Sequence, residues 1–525
     1  MSAPWVALLA FAAAAALAWL WLRLASRLPA PDPRPKLGPP RPAASTALGQ
    51  RFARACADHP GLSGVRPLLD PVESLAARVR LIRAAETSLD LQYYIWRGDI
   101  AGMLLVDELL AAARRGVQVR LLLDDNGIAG LDPLLKALDS HPRIEVRLFN
   151  PFVLRRAKLL GYLVDFDRLN RRMHNKALVA DGTLAILGGR NIGDEYFGAT
   201  DGALFADLDV MVAGPVVAEL AADFERYWTC ASAHAAGRIL ARVKPWPGPR
   251  IAARAAEARA RPEAALYAPA FADRPGPGGL VDPEQFEWVP CLLVSDDPGK
   301  GLGLAGRDDY LDRQLLRVIG RPERLLGLVS PYFVPTKAGV AALVALARSG
   351  VEVAILTNAW EANNHRIVHT GYAPHRHALL AAGVRLFEAK RQRRVPRAAS
   401  GGLLLGSARR WAPRNSLRSS GSALHAKTFT VDGRRLFVGS FNFDPRSLVL
   451  NTELGVVIES PALAGALEAE FRRGFPGAAY RVERAGRSLL WHEADGTVHR
   501  REPGTRLLDR LLIRLLAPLP IDWLL

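Results

Sequence analysis

The pattern HxKxxxxD occurs twice in this 525-residue chain, as HNKALVAD from His174 and as HAKTFTVD from His425. In each copy the His and the Lys stand two apart, so on an extended segment both side chains lie on one face. The segments that follow repeat as well, with Gly188, Gly189 and Asn191 behind the first copy and Gly439, Ser440 and Asn442 behind the second. A chain that duplicates a reactive face together with its flanking turn is expected to fold as two similar halves, each supplying half of one site.

The residue types give that site a chemistry. A neutral imidazole attacks phosphorus and a charged one donates a proton, so two facing histidines divide the work of nucleophile and general acid. Two lysines and two side-chain amides offset the charge that gathers on phosphoryl oxygens. Such a centre calls for no metal and no cofactor. Asp209, in DLDVMVAGP, and Glu453, in NTELGVVIES, lie at comparable places downstream of the two motifs. They are the expected acceptors of the histidine Nδ1 hydrogens, which fixes the tautomer that turns Nε2 toward phosphorus.

The duplication extends beyond the motifs. Residues 109–124 (LLAAARRGVQVRLLLD) and 343–358 (LVALARSGVEVAILTN) each read as an apolar helix, a glycine stop and a buried strand. Further strands are expected at 89–96 and 325–333, and helices ending near Tyr227 and Phe471. The alternation indicates an α/β protein with mixed, largely buried sheets. It divides the chain into a membrane anchor (1–28), a Pro-rich linker (29–60), a first half (61–250), a second linker (251–287), a second half (288–480) and a C-terminal hairpin with a basic amphipathic segment (481–525).

Both motifs, together with LDLQYYIW from Leu89, GGRNIGDEYFG from Gly188, SPYFVPT from Ser330, VGSFNFDPRS from Val438 and LNTELG from Leu450, resemble the phospholipase D superfamily and, within it, the bacterial cardiolipin synthase branch of the C type. The resemblance runs from about Pro67 to the C-terminus. It implies a duplicated fold about a pseudo-twofold axis with the active site at the seam. It also implies a phosphatidyl group carried on His174 while His425 acts as acid and base, with the reverse order as the alternative. Lys176, Asn191, Lys427 and Asn442 would hold the phosphate, and Asp181 and Asp432 complete the motifs in a mainly structural capacity. The implied reaction joins phosphatidylglycerol to a phosphatidyl group from phosphatidylethanolamine or a second phosphatidylglycerol; the alternative is hydrolysis by a phospholipase D or a nuclease of the same mechanism.

The remaining features bear on location. No charge interrupts residues 3–22, a run long enough to cross a hydrocarbon core, and Arg23, Arg27, Arg34 and Lys36 follow it. This reads as an uncleaved anchor in the bacterial inner membrane with the body on the cytoplasmic side. Arg506, Arg510 and Arg514 recur along a leucine-rich stretch near the C-terminus, close to Trp523, as on an interfacial helix. A net charge of +17 favours polyanions in general. Much of the excess lies in 390–418, a basic stretch with Trp411 and leucines 403–405 suited to lipid, and a basic, aromatic segment at 152–173 is a second contact candidate. Membrane phospholipids are therefore the expected partners, ahead of nucleic acid. His365, His369, His375 and His377 read as surface or substrate-groove histidines, and Cys56, Cys230 and Cys291 show no metal or disulfide spacing. P-loop, GxSxG and HExxH patterns are absent.

Overall fold

A computed structural model describes residues 3–29, 36–38, 41–198, 203–268, 281–363, 366–391 and 421–516. Arg34, His365, Trp411, Trp523 and most of the 390–418 stretch lie outside them.

The first half contributes β1 (Ser63–Leu68), β2 (Ser88–Ile95), β3 (Gln118–Gly127), β4 (Ile144–Phe149), β5 (Ala177–Ala180), β6 (Leu184–Gly188), β7 (Ala203–Ala206), β8 (Asp209–Ala213) and β9 (Ala233–Ala235). After β10 (Glu287–Val289), the second half contributes β11 (Cys291–Ser295), β12 (Leu325–Val329), β13 (Glu352–Asn358), β14 (Arg385–Ala389), β15 (Gly421–Leu424), β16 (Thr428–Val431), β17 (Arg435–Gly439) and β18 (Leu454–Glu459). It closes with β19 (Ala479–Ala485), β20 (Ser488–His492) and β21 (Val498–His499).

One sheet runs β10-β1-β8-β6-β5-β2-β3-β4-β9 and the other β11-β18-β17-β16-β12-β13-β14-β19-β20-β21. The run from β1 to β9 in the first is matched by the run from β11 to β19 in the second, with the same parallel or antiparallel sense at every pairing. The central strands β3 and β13 are buried along most of their length because neighbouring layers cover both faces. One apolar layer is shared between halves: Val179, Leu187 and Val210 of the first sheet cluster with Val329, Val438 and Val456 of the second. This layer fixes how the two sheets face each other.

The expected glycine stops are present. The helix Ile100–Arg114 ends before Gly116 (φ 101°) and Lys337–Arg348 before Gly350 (φ 93°). Each motif closes on a three-residue hairpin loop, 181–183 and 432–434. Asp181 and Gly182 have φ of 50° and 60°, Asp432 and Gly433 of 54° and 63°, so both loops turn through two left-handed residues. The Asp carboxylates then reach the start of a neighbouring strand. Asp181 accepts from the backbone N–H groups of Glu86, Thr87 and Ser88 at 2.8–2.9 Å, and Asp432 from those of Glu323, Arg324 and Leu325 at 2.8–3.2 Å. Both sit at the far end of their strands, roughly 20 Å of extended chain from the histidines, and hold strands in register.

The connecting segments carry more structure than linkers would. Within 29–60, the helix Ala47–Asp58 buries Phe52 edge-on against Phe286, with ring centroids 5.4 Å apart. Within 251–287, the helix Gly248–Ala260 buries Ile251, Ala255 and Ala258, an i, i+4, i+7 stripe, against Ile100–Arg114. The hairpin predicted after residue 481 begins within β19 and widens the second sheet. The helix Ala3–Ala25 is exposed along its length and is long and apolar enough to cross a membrane. The terminal helix Leu507–Leu516 lies against Arg366–Tyr372 with Ile513 buried, while Leu507 and Leu508 remain exposed.

Asp181 is buried and Asp432 only partly so. Replacing Asp181 by Ala strands three backbone donors and is expected to lower the unfolding free energy by about 3 kcal/mol. Asp432→Ala should cost less, and chemical denaturation of the two variants measures the difference.

Candidate active site

The two motif strands, β5 and β16, are central in their sheets, and the residues just before them leave the sheets and cross to the opposite half. β7 and β15 pair parallel to each other, which sets Ala206 beside Leu424. A single parallel bridge sets Met173 beside Thr452. The crossings are reciprocal: the His174 N–H donates to the Thr452 carbonyl and the His425 N–H to the Ala206 carbonyl, each at 2.8 Å.

Each crossing delivers a carboxylate to the other half's histidine. His174 Nδ1 lies 2.8 Å from Glu453 Oε2, and His425 Nδ1 lies 2.5 Å from Asp207 Oδ2. Neither half pairs its own histidine with its own acid. Glu453 is held by the hydroxyls of Ser440 (2.5 Å) and Ser447 (2.7 Å), and its backbone N–H donates to Asp296 (2.9 Å). Asp207 accepts the N–H of Leu208 at 2.8 Å, and its carbonyl accepts from Arg190 at 2.6 Å.

The expectation for Asp209 is therefore corrected. Its carboxylate is fully buried against Arg78 at 2.9 Å and Arg190 at 3.3 Å and also accepts from Ser74, so it ties β8 to the helix Pro71–Ala84. Strand register shows why the downstream count misled. Gly188 pairs with Asp209 where Gly439 pairs with Gly455, so the structural equivalent of Glu453 is Asp207. A longer connection follows the first motif, and Asp207 and Asp209 point to one side of an extended chain. Only pairing partners distinguish them.

Lys176 and Lys427 are buried and each donates to the carbonyl of its own motif histidine at 2.5 Å. Lys427 Nζ also lies 3.1 and 3.2 Å from the two ring nitrogens of His425. Burial lowers both ammonium groups, to about 7 for Lys176 and about 8 for Lys427, although Glu453 and Asp207 oppose this. Burial also lowers the histidines, to about 4 for His174 and about 3 for His425, and the lysines add to it against the pull of the carboxylates. Burial by itself would raise the two acids, yet His174 holds Glu453, and His425 holds Asp207, below the ordinary carboxylate range. Each lysine is also felt by the histidine of the other motif, so the two motifs share one electrostatic centre. At neutral pH both rings rest uncharged, each with its Nδ1–H directed to a carboxylate.

The amides part company. Asn191 accepts the Ile95 N–H at 3.1 Å and donates to the Tyr196 hydroxyl at 3.0 Å, so both ends of its amide are engaged within the protein. It acts by holding Tyr196, whose ring stands edge-on to His425 at 5.2 Å. Tyr94 stands against His174 in the same way at 5.0 Å. Asn442 is buried with an Oδ1 that has no partner, leaving a position for a substrate group. Ser440, Ser447, Tyr94 and Tyr196 all stand in the segments LDLQYYIW, GGRNIGDEYFG and VGSFNFDPRS, but only the fold shows what they touch. Of the histidine cluster, His369 is buried 2.5 Å from Glu502 and clamps the C-terminal segment rather than facing substrate.

Comparison with known proteins shows the family and the duplicated fold. The family model described as "Cardiolipin synthase, PLD-like domain" matches residues 79–228 and again 315–474, one match per half. Cardiolipin synthase C of Escherichia coli is 46% identical over 479 residues, covering 90% of this chain and 98% of that protein. Cardiolipin synthase A of Pseudomonas entomophila is 27% identical over 412 residues, covering 78% and 68%. The solved phosphatidylserine synthase of Haemophilus influenzae shares the fold with a TM-score of 0.50 at 14% identity, covering 90% of this chain and 98% of that one.

Asp207→Asn removes the carboxylate that fixes the His425 tautomer and is expected to reduce phosphodiester turnover on the order of 10³-fold. Asp209→Asn should act mainly on the unfolding midpoint, and steady-state rates beside melting curves separate the two effects. The lysines are charged below their pKa values of about 7 and 8. Binding of dimethyl phosphate, whose own charge is constant there, should therefore be tightest below pH 7 and weaken as pH rises past 8 in calorimetric titrations.

Proposed function

The chain belongs to the cardiolipin synthase family of phospholipase D-like enzymes, and from that premise we propose that it is a membrane-anchored phosphatidyltransferase that makes cardiolipin. His174 Nε2 attacks the phosphorus of a donor phospholipid, phosphatidylethanolamine or phosphatidylglycerol. The bond to the headgroup oxygen breaks, and the departing alcohol takes a proton from His425. The phosphatidyl group then rests on His174. His425 withdraws a proton from a glycerol hydroxyl of phosphatidylglycerol, that oxygen attacks phosphorus, and the bond to His174 breaks to release cardiolipin. Lys176 and Lys427 offset the charge on the non-bridging oxygens, and Asn442 has an amide position free for substrate.

The observation that carries this reading is the crossed pairing of each histidine with an acid from the other half. Two imidazoles from opposite halves with matched Nδ1 partners are what a two-step displacement through one intermediate would use, and this supports the reading. Burial leaves the histidines neutral when the site is empty. An anionic phosphodiester seated between them supplies the charge that lets one ring hold a proton as general acid.

The exposed apolar helix Ala3–Ala25 supports anchorage in the bacterial inner membrane. Arg23 and Arg27 at its C-terminal end favour a cytoplasmic body.

The test is a lipid assay with full-length protein in vesicles, first of phosphatidylglycerol alone and then with phosphatidylethanolamine. Cardiolipin in the first identifies phosphatidylglycerol as donor, and cardiolipin only in the second identifies phosphatidylethanolamine. Phosphatidic acid as the sole product replaces the transferase with a hydrolase. His174→Ala and His425→Ala should each abolish product; acid-resolved labelling should find phosphate on the nucleophile when the other histidine is replaced. Activity is expected to persist in a strong chelator.

A further inference from the structure

The segment at 152–173 holds a short helical hairpin, Lys158–Tyr162 and Phe166–Asn170, whose charges and apolar groups are sorted opposite to what a polyanion-binding surface needs. Arg155 turns inward to Asp125 and Asp132, and Lys158 donates to the carbonyl oxygen of Asp125 at 2.8 Å. Beside exposed Arg156 and Asp167, most of what faces outward is apolar: Leu159 is 80% exposed, Leu163 65%, Phe166 45% and Leu160 42%. Four large apolar side chains exposed within eight residues of chain are costly in water, and their concentration in one hairpin sets them apart from scattered positions.

The N-terminal helix passes this patch. The Trp19 indole N–H lies 3.4 Å from the Leu163 carbonyl, and the Arg23 guanidinium stacks on the Trp19 ring at 5.1 Å from its centroid. Trp19 is near the C-terminal end of Ala3–Ala25, about 24 Å along an axis that rises 1.5 Å per residue. A tryptophan capped by arginine at that depth marks the boundary between acyl chains and headgroups. Leu163, in contact with it, stands at the same level.

We propose that the outer face of this hairpin is a second membrane contact, with Leu159, Leu160, Leu163 and Phe166 seated in the upper acyl region of the leaflet that holds Trp19. The inference rests on reading Ala3–Ala25 as a membrane anchor. The hairpin is tied directly to the catalytic strand. Arg446 binds the Asn170 side chain at 2.8 Å and its carbonyl at 2.6 Å, and Arg172, bound to Asp124 at 3.0 Å, precedes His174 by two residues. Seating the hairpin in the leaflet therefore sets the height of His174 above the bilayer, at the level where a phospholipid presents its phosphate.

The test places an environment-sensitive fluorophore on full-length protein carrying Leu159→Cys or Leu163→Cys, with Leu316→Cys (Leu316 is 62% exposed on the body) as reference and with Cys56 and Cys230 replaced by Ala. In phosphatidylglycerol and phosphatidylethanolamine vesicles, labels at 159 and 163 should be quenched by lipids brominated high on the acyl chain and shielded from aqueous iodide. The label at 316 should show the reverse. Iodide quenching at all three positions overturns the proposal, and shielding from both quenchers overturns it in favour of a protein partner. These readouts do not depend on turnover, so they separate this inference from the catalytic one. A Leu159→Asp, Leu163→Asp double variant is expected to lose about tenfold of its rate on vesicles. Its rate on short-chain phosphatidylglycerol dispersed in detergent should not change; equal losses on both substrates would place the hairpin's role in the site itself and overturn a membrane contact.

Discussion

The active centre depends on two hydrogen bonds that each half can make only with the other. Nδ1 of His174 needs Glu453 and Nδ1 of His425 needs Asp207, and both pairs are buried. A buried carboxylate without its partner is strongly destabilising, so a half standing alone would expose or protonate its acid. The same contacts that set the imidazole tautomers therefore also hold the sheets together. The geometry of the candidate site and the docking of the halves are one constraint.

The duplicated frame is not filled identically. On one side the acid is Asp, and a Cβ built on Gly189 would lie 2.0 Å from Asp207 Oδ1. The shorter carboxylate brings its backbone close enough that only glycine fits there. On the other side the acid is Glu, the extra methylene leaves room, and Ser440 at the equivalent position donates to Glu453 at 2.5 Å. The Gly-Gly and Gly-Ser pairs after the two motifs thus record which acid each faces. This asymmetry gives the two histidines different surroundings and is a physical basis for different roles.

The frame was legible because its signals are local and repeated. The His and Lys spacing, the glycine stops at Gly116 and Gly350 and the apolar runs of β3 and β13 each follow from one stretch of chain. What escaped was pairing. Asp207 and Asp209 share a face and differ only in whether a histidine or two arginines come to meet them, and those partners lie on distant segments. Asn191 matched the phosphate-binding pattern by position but spends its amide on Ile95 and Tyr196. The basic residues at 155 and 158 read as part of a contact surface, but their charges are taken up by Asp125 and Asp132 on an earlier stretch of chain. The helices inside the two linkers were hidden by proline-rich and alanine-rich neighbours that carry little periodicity beyond a few positions.

Burial explains why the centre is quiet until occupied. Two lysines beside two histidines in a low-dielectric pocket disfavour imidazolium, and the carboxylates behind the rings only partly offset this. In the proposed mechanism both rings would enter as bases, which suits the nucleophile but not the acid. An anionic phosphodiester seated by the lysines would supply the missing charge and relieve their effect on the ring that must carry a proton. Substrate binding and acid activation would then be a single event.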